Sequence, residues 1–240
     1  MSEGNIIQYL KSNLNDQAQF TTQELIELLS ALNPEATKNT HSWRINQLKS
    51  TGQIHQTGRG LYSFISKPEF TPALSLKTKR LFNRVEALVP ELEIVVWETS
   101  MLAEIIEKPI EKHFIFFHTK RDKIDFLHGK MLDFSRPTFP NPNKEIIEKY
   151  LLPLNEAIIL LPLSTQTPVM KLNDFKTKTI EGLLVSACLV ETILTPMGID
   201  LIQLFATAFA KYNVNESKLL RYAGRRDRRT EICEILKKIS

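Results

Sequence analysis

The sequence predicts an α+β protein of 240 residues with two folded parts. Three helical patterns followed by two strand patterns fill residues 1–66. Strand segments then alternate with amphipathic helical segments over about 77–175, and the pattern is entirely helical over about 176–240. We therefore expect an N-terminal domain at 1–66 and a proline-containing linker at 67–76. A mixed α/β sheet domain with a helical C-terminal part follows at 77–240.

Composition narrows the class of protein. Hydrophobic residues make up 42% of the chain and charged residues 24%, as in ordinary globular domains, which argues against a disordered protein. No apolar run approaches the ~18 residues that a membrane span requires, and the N-terminus lacks a secretory pattern. We therefore expect a cytoplasmic protein that has no membrane partner. Cys188 and Cys233 are interpreted as two buried thiols, with a disulfide as the alternative.

Apolar spacing and turn residues delimit the elements of the first domain. Apolar residues at helical spacing predict a first helix over 6–14. The sequence Thr-Thr-Gln-Glu at 21–24 is typical of a capping box and opens a second helix, which Asn33-Pro34 ends. Two strands are predicted at 53–56 and 61–65, on either side of a glycine-rich hairpin tip.

The third helix lies between that second helix and the hairpin. Its N-cap is predicted to be Asn39 or Thr40, Ile45 and Leu48 face inward, and Gly52 ends it. The order helix, helix, turn, helix, hairpin is that of a winged helix-turn-helix. In that fold the third helix enters the major groove of DNA, while the hairpin, or wing, reaches a flanking phosphate or the minor groove.

The charge pattern points to the same two elements. No Asp or Glu occurs between Ala36 and Pro68, a segment that contains five basic residues. The predicted DNA-binding residues are Lys38, Asn39, Thr40, Trp43, Arg44, Gln47, Lys49 and Arg59. We assign Lys38 and Lys49 to phosphates and Arg59, between two glycines, to the wing contact; the other residues would read the major groove.

Two questions stay open at the level of the sequence. Winged helices also bind proteins, in which case the domain is an interaction adaptor and its charges form a solvated face. Trp43 either stacks on DNA or packs against the rest of the protein.

Regular patterns also define the elements of the second domain. Strands are predicted at 94–97, 113–118, 157–161 and 169–172, and helices at 77–89, 99–106, 122–132 and 145–152. The strand at 113–118 is apolar on both faces, so we expect it at the centre of a sheet. The segment 134–143 holds three prolines and is expected to be a surface loop.

The C-terminal part is helical and basic. Helices are predicted at 180–188, 199–212, 216–223 and 228–239. A second basic patch is predicted from Arg221, Arg225, Arg226, Arg228 and Arg229. Three interpretations of this patch are kept, namely a contact with DNA phosphates, a docking face for an acidic protein partner, and simple solvation.

The sequence carries no recognisable catalytic constellation. It has no metal-ligand cluster, no glycine-rich phosphate loop and no nucleophile motif. His113 and His118 face opposite sides of one strand and are assigned structural or surface roles. Two carboxylate pairs are interpreted as solvated helix faces, Asp122 with Asp125 and Glu145 with Glu148. We expect no enzyme activity, no cofactor and no metal; the alternative is a nuclease-like enzyme with its site in the sheet domain.

Three stretches of the sequence carry a family resemblance. They are Trp-Arg-Ile-Asn-Gln-Leu at 43–48 with Gly-Arg-Gly-Leu-Tyr at 58–62, then Val-Trp-Glu-Thr at 96–99, and finally the segments 179–185, 209–212 and 217–223. Together they resemble the AbiEi-type antitoxins and related bacterial winged-helix regulators. In the third stretch this chain has Gly182 and Ser186 where the family pattern has a lysine and an aspartate.

The resemblance implies a DNA-binding transcriptional regulator, namely the autorepressing antitoxin of a type IV (AbiE-like) toxin-antitoxin system. Its N-terminal module would bind double-stranded DNA at its own promoter. Its C-terminal domain would neutralise a nucleotidyltransferase-like toxin, functionally rather than necessarily by binding it. The sequence makes no prediction about the oligomeric state.

Overall fold

The chain forms two compact units. The computed structural model describes residues 3–14, 17, 19–65, 67–134, 136–172 and 175–239. The first unit comprises Met1–Glu69 with Asn213–Ser217, and the second comprises Phe70–Tyr212 with Lys218–Ser240. Ser66 and Ser240, which end the two predicted domains, lie outside the described residues. The predicted α+β class is confirmed.

A short segment from the predicted helical part belongs to the first unit. The Asn213 backbone N–H donates to the Pro68 carbonyl at 3.0 Å, and the Asn213 side-chain amide donates to Glu69 at 2.7 Å. Within the predicted linker, Phe70 and Leu74 are buried in the second unit, and the Phe70 ring meets Tyr212 edge-on.

The first unit contains three helices and a small antiparallel sheet. Its elements are α1 (Glu3–Leu14), β1 (Phe20–Thr21), α2 (Thr22–Leu32), α3 (Lys38–Ser50), β2 (His55–Gly58) and β3 (Leu61–Ser63). The strand order is β1-β3-β2, with Phe20 opposite Tyr62. Strand β1 was not predicted because two residues give no periodicity.

The ends of α2 and α3 are set by threonine caps. The Thr21 hydroxyl accepts from the Glu24 N–H at 3.1 Å, and the Glu24 carboxylate accepts from the Thr21 N–H at 2.6 Å, so the predicted capping box is confirmed. The predicted cap of α3 is wrong. Thr37 has the extended backbone of an N-cap and accepts from the Thr40 N–H at 3.3 Å, which places Asn39 and Thr40 in the first turn.

An apolar core joins the helices to the sheet of the first unit. It consists of Ile6, Leu10, Leu14, Phe20, Leu25, Leu29, Ile45, Leu48, Ile54 and Tyr62. The inward positions predicted for α3, Ile45 and Leu48, are confirmed, and His41 is buried on the same side. The spacing of these three residues fixes which side of α3 faces outward.

The second unit is built on a six-stranded sheet. Its strands are β4 (Val95–Glu98), β5 (His113–Thr119), β6 (Thr138–Pro140), β7 (Glu156–Pro162), β8 (Val169–Leu172) and β9 (Phe175–Lys178). The strand order is β6-β7-β5-β4-β9-β8, with parallel pairs β6–β7, β5–β7 and β4–β9 and antiparallel pairs β4–β5 and β8–β9. Strand β5 lies inside the sheet and is almost wholly buried, as its two apolar faces predicted.

Helices cover this sheet and form the C-terminal part. They are α4 (Leu76–Leu88), α5 (Thr99–Ile106), α6 (Ile124–Lys130), α7 (Lys144–Ile146), α8 (Ile180–Leu189), α9 (Glu191–Leu194), α10 (Leu201–Lys211), α11 (Glu216–Arg225) and α12 (Arg229–Ile239). Short 3-10 turns occupy Arg121–Lys123 and Thr195–Met197, and a π-helical turn occupies Ile147–Leu151.

Two sequence expectations for the second unit were wrong. The segment 134–143 was expected to be a surface loop, but β6 lies within it and pairs with β7 through Thr138, Phe139 and Pro140. Proline is tolerated there because β6 is an edge strand. Strand β9 was missed, and it extends the sheet to Lys178, so the helical part begins at Ile180.

Helix α8 is buried from Ile180 to Cys188 in the second unit. A Cβ atom on Gly182 would lie 2.6 Å from the Pro168 carbonyl oxygen, so only glycine permits this approach. Among the described residues, no single helix has the length and apolar composition of a membrane span. Helix α8 and Glu191–Met197 meet those criteria only as a pair bent by 78°.

Both cysteines lie in the helical part and are free. Cys188 in α8 is buried, and burial raises the pKa of its thiol to about 12. Cys233 in α12 is only partly buried, so the expectation of two buried thiols holds for Cys188 alone.

Candidate nucleic-acid interface

The outward side of α3 carries most of the predicted DNA-binding residues. Lys38, Asn39, Thr40, Trp43 and Lys49 are exposed, whereas Arg44 and Gln47 are half-buried at its edges. The opposite side is anchored by the three buried positions of α3. The predicted side chains are therefore accessible and share one helix.

The cations of this surface lack acidic partners. The sequence has no carboxylate between Ala36 and Pro68. Among the described residues, none lies within ion-pair distance of Lys38, Arg44 or Arg59. The positive charge of α3 and the hairpin is thus left to solvent or to an external anion.

Two hydrogen bonds through the Gln56 side chain connect the end of α3 to the hairpin. Lys49 Nζ donates to Gln56 Oε1 at 3.3 Å, and Gln56 Nε2 donates to the Gly58 carbonyl at 3.0 Å. Lys49 has no acidic partner among the residues that the structure describes, and its amine is held beside β2. These two hydrogen bonds therefore hold the Lys49 amine on α3 next to strand β2 of the hairpin.

The hairpin tip is a tight turn held against α2. Gly60 has φ +73°, in the left-handed region that favours glycine, and its carbonyl accepts from the Thr22 N–H at 2.8 Å. Arg59 precedes it and is exposed. The backbone of the tip is thereby fixed, while the Arg59 guanidinium is free to reach outward.

Trp43 is the largest apolar group on this side of α3. Its side chain is 60% exposed. Exposed tryptophans are uncommon unless they contact a partner, because transfer of the ring out of water lowers the free energy. The exposed ring is accessible both to DNA and to a protein.

The five C-terminal arginines do not form one patch. Arg221 and Arg225 lie on one side of α11 and line a cavity of about 200 Å³. Arg228 pairs with Glu231 at 3.0 Å, and Arg229 is exposed at the start of α12. Arg226 lines a different cavity and donates through Nη1 to the Ser164 hydroxyl.

Sequence reasoning missed a buried polar cluster around Lys178. Lys178 Nζ lies 3.0 Å from His118 Nε2 and donates to Ser186 Oγ at 2.5 Å. The Trp97 indole N–H donates to the same His118 nitrogen at 3.0 Å, and Ser186 donates to the Gly182 carbonyl at 2.6 Å. Since Nε2 accepts, His118 is neutral and carries its proton on Nδ1, which faces the Pro162 carbonyl.

Burial governs the titration of this cluster. Burial first, and then the nearby Arg226 charge, hold the pKa of Lys178 well below its usual value. Burial, followed by the Lys178 charge, likewise lowers the pKa of His118. The one signal was Ser186 within the apolar segment of α8, because Lys178 lies in the polar segment Phe-Lys-Thr-Lys, and the partners are distant in sequence.

A second buried cluster surrounds Glu98 at the end of β4. His113 Nε2 lies 2.7 Å from the Glu98 carboxylate, which also accepts from the Ser75 N–H at 2.6 Å, from the Ser75 and Ser100 hydroxyls, and from the Thr78 hydroxyl. Burial raises the pKa of Glu98, but these hydrogen bonds, led by that with His113, outweigh it and bring the pKa to about 2. The cluster ties the start of α4 to β4 and β5.

The remaining acidic candidates lie on exposed surfaces. Asp122, Asp125, Glu145 and Glu148 are exposed, as predicted for solvated helix faces. Within the described parts of the chain, no three His, Cys, Asp or Glu side chains are close enough to hold a metal ion.

The family of the chain follows from its sequence. The family described as "Family of unknown function (DUF6577)" matches residues 40–240. The chain belongs to this family. The match begins in the first turn of α3, so it includes Arg44, Gln47, Arg59 and both buried clusters, whereas α1 and α2 precede it. No curated protein matches the chain.

Proposed function

We propose that this DUF6577 chain is a DNA-binding transcriptional regulator whose first unit binds duplex DNA through α3 and the β2–β3 hairpin. One observation carries the proposal, namely the outward side of α3 and the adjoining hairpin tip, which both belong to a segment without carboxylates. A helix of this diameter fits the major groove, and an adjoining hairpin can then reach the flanking backbone.

The residues divide by what their chemistry can contact. Arg44 suits the two acceptors on a guanine edge, and Gln47 suits the donor and acceptor on an adenine edge. Lys38 and Lys49 lie near opposite ends of α3, where ammonium groups can meet phosphates on either side of the groove. Arg59 extends the positive surface to the wing.

The antitoxin role is the part of the proposal that depends on the family resemblance. It states that the chain represses its own promoter and neutralises a nucleotidyltransferase-like toxin. A reporter driven by the upstream region of the gene tests repression. Coexpression with the neighbouring toxin-like gene, with growth as the readout, tests neutralisation; unchanged toxicity would remove the antitoxin role and leave DNA binding intact.

The direct test is a titration of the full chain with duplex DNA from upstream of its gene. Fluorescence anisotropy at two salt concentrations compares that duplex with a scrambled one. We expect tighter binding to the upstream duplex and a marked loss for the triple variant Lys38→Ala, Arg44→Ala, Arg59→Ala.

A charge-matched control separates contact from net charge. Lys79, Arg80 and Lys120 are exposed in the second unit, and replacing all three with alanine removes the same charge. Equal losses in the two triple variants would contradict a specific surface on α3. Adding Mg²⁺ to the same mixtures tests the nuclease alternative, because cleavage of the duplex would indicate an enzyme.

Trp43 favours one competing function. An exposed tryptophan on a small domain is typical of the centre of a protein interface, so the first unit could serve as an adaptor. Trp43→Ala should weaken DNA binding under our proposal. If it leaves DNA binding unchanged while the triple variant also has no effect, the adaptor interpretation replaces ours.

A further inference from the structure

The second unit contains a cavity of about 260 Å³ that the proposed function does not use. One wall is apolar and includes Ile159, Leu161 and Ile193. The polar residues of the lining include two arginines, Arg121 and Arg226, together with His118 and Ser186. No Asp or Glu is among the described residues that line it.

Arg226 has an unmet hydrogen-bonding capacity at this cavity. Its Nη1 donates to Ser164, but its Nε is buried and has no hydrogen-bond partner among the described residues. Within the same part of the chain, no carboxylate lies within ion-pair distance of Arg226 or Arg121. Buried donors of this kind are nearly always satisfied, so the Arg226 guanidinium has donor capacity that its contacts with the described residues leave unused.

The polar cluster around Lys178 adjoins this cavity. His118 and Ser186 form part of the lining, and Lys178 bonds to both from behind. Burial first, and then the Arg226 charge, keep the pKa of the Lys178 amine low, while the His118 ring is neutral. An anion bound at Arg226 would interact favourably with that guanidinium and would favour protonation of the nearby Lys178 amine.

We propose that this cavity binds a small organic anion, whose carboxylate or phosphate group contacts Arg226 and Arg121 and whose apolar body packs against Ile159, Leu161 and Ile193. Guanidinium groups suit both kinds of anion because their donors match two oxygens at once. The volume is below the ~300–1,000 Å³ of pockets for drug-sized ligands, so the ligand is metabolite-sized. The site lies wholly in the second unit and stands whether or not the first unit binds DNA.

The test uses the full chain and a small panel of probes. Benzoate, 4-methylpentanoate and phenyl phosphate combine an apolar body with an anion, whereas benzyl alcohol lacks the charge and inorganic phosphate lacks the body. Trp97 reports on binding because its indole bonds to His118; a Trp43→Phe background leaves it as the sole tryptophan. Isothermal titration calorimetry provides the affinities.

Two arginines that are adjacent in sequence provide the decisive comparison. Arg226→Gln should weaken binding of the best probe at least tenfold. Arg225→Gln should leave it unchanged, because Arg225 lines a different cavity. If Arg226→Gln perturbs folding, Thr192→Trp provides a second test, since Thr192 is exposed at the rim and a large ring there should block entry.

Each result decides the proposal. Binding of one organic anion that Arg226→Gln or Thr192→Trp removes and Arg225→Gln preserves supports it; preference for phenyl phosphate over the carboxylates would identify the anion as a phosphate. Failure of every anionic probe to bind would overturn the proposal. If benzyl alcohol binds as tightly as the best anionic probe, the cavity is purely apolar and the proposal is overturned. If inorganic phosphate binds as tightly, the cavity is a bare anion site and the proposal is likewise overturned.

Discussion

The polar side chains of α3 and those of the second unit differ in burial and in bonding. On α3 Lys38 and Lys49 are exposed and Arg44 is half-buried, and Lys38 and Arg44 have no carboxylate partner among the described residues. In the second unit Glu98 and Lys178 are buried, and each bonds to several groups of that same unit. The comparison suggests that polar groups of the second unit hold its fold, whereas those of α3 serve a partner. Substitutions in the two regions should therefore have different readouts.

The largest expected effect is on stability, from Glu98→Ala. Removing the carboxylate leaves the His113, Ser75 and Thr78 donors without their acceptor. Breaking a buried pair of this kind costs about 3–5 kcal/mol of the free energy of unfolding, measured by urea denaturation. The control Glu93→Ala removes an exposed ion pair with Lys176 and should cost at most about 1 kcal/mol. Similar losses in both variants would contradict a structural role specific to Glu98.

The same carboxylate should make stability depend on acid. The pKa of Glu98 is about 2 in the folded chain, against an ordinary value of 4.5. A lowered folded pKa contributes stability above pH 4.5 that is lost as the pH falls toward 2. The lost contribution is roughly 3 kcal/mol. The Glu98→Gln variant should lack this component of the acid dependence, and an unchanged acid profile would contradict the assignment.

The next largest effect concerns DNA. Arg44→Ala should weaken binding to the cognate duplex by about 1–3 kcal/mol if the guanidinium reads a base, and should leave the urea midpoint nearly unchanged. Arg80→Ala, at an exposed position of α4, is the matched control. Equal weakening of cognate and scrambled duplexes would make Arg44 a phosphate anchor. If Arg44→Ala lowers the urea midpoint but leaves DNA affinity unchanged, Arg44 supports the fold and does not contact DNA.

Lys178→Met tests whether the buried amine makes the free energy of unfolding depend on pH up to the alkaline range. Because the folded pKa of Lys178 is lowered, the unfolded chain binds more protons, and stability rises with pH up to the unfolded value of 10.5. The slope is at most about 1.4 kcal/mol per pH unit. Lys178→Met should remove that slope, while Lys176→Met, at an exposed neighbour, should retain it. Identical slopes in wild type and Lys178→Met would show that the amine is not desolvated.

The sequence was sufficient where the signal is local. The inward positions Ile45 and Leu48 follow from helical periodicity, and so does the outward position of Trp43. The capping box at Thr21 was predicted because both of its partners lie within four residues. Helical periodicity therefore predicted which positions of α3 are buried, whereas Gln47, which was expected on the outer side, is half-buried.

The buried clusters could not be predicted because their members meet only through the sheet. Trp97, His118 and Lys178 come from β4, β5 and β9, which are brought together by a strand order that the sequence does not reveal. The cap of α3 failed for a different reason. Thr37 and Thr40 are both good caps, and the choice depends on the turn that precedes the helix.

The smallest expected effect is the one that most sharply tests the wing. Arg59 is exposed at a tip whose backbone is fixed by the Gly60 carbonyl, so Arg59→Ala should leave stability unchanged. If its guanidinium meets a phosphate, the variant should flatten the log–log salt dependence of DNA binding by about 0.9. Lys11→Ala is the control, because Lys11 lies over the Phe64 ring of the same unit rather than on α3 or the hairpin tip. An unchanged slope for Arg59→Ala would confine DNA contact to α3, whereas an equal change for Lys11→Ala would mean that net charge alone sets the salt dependence.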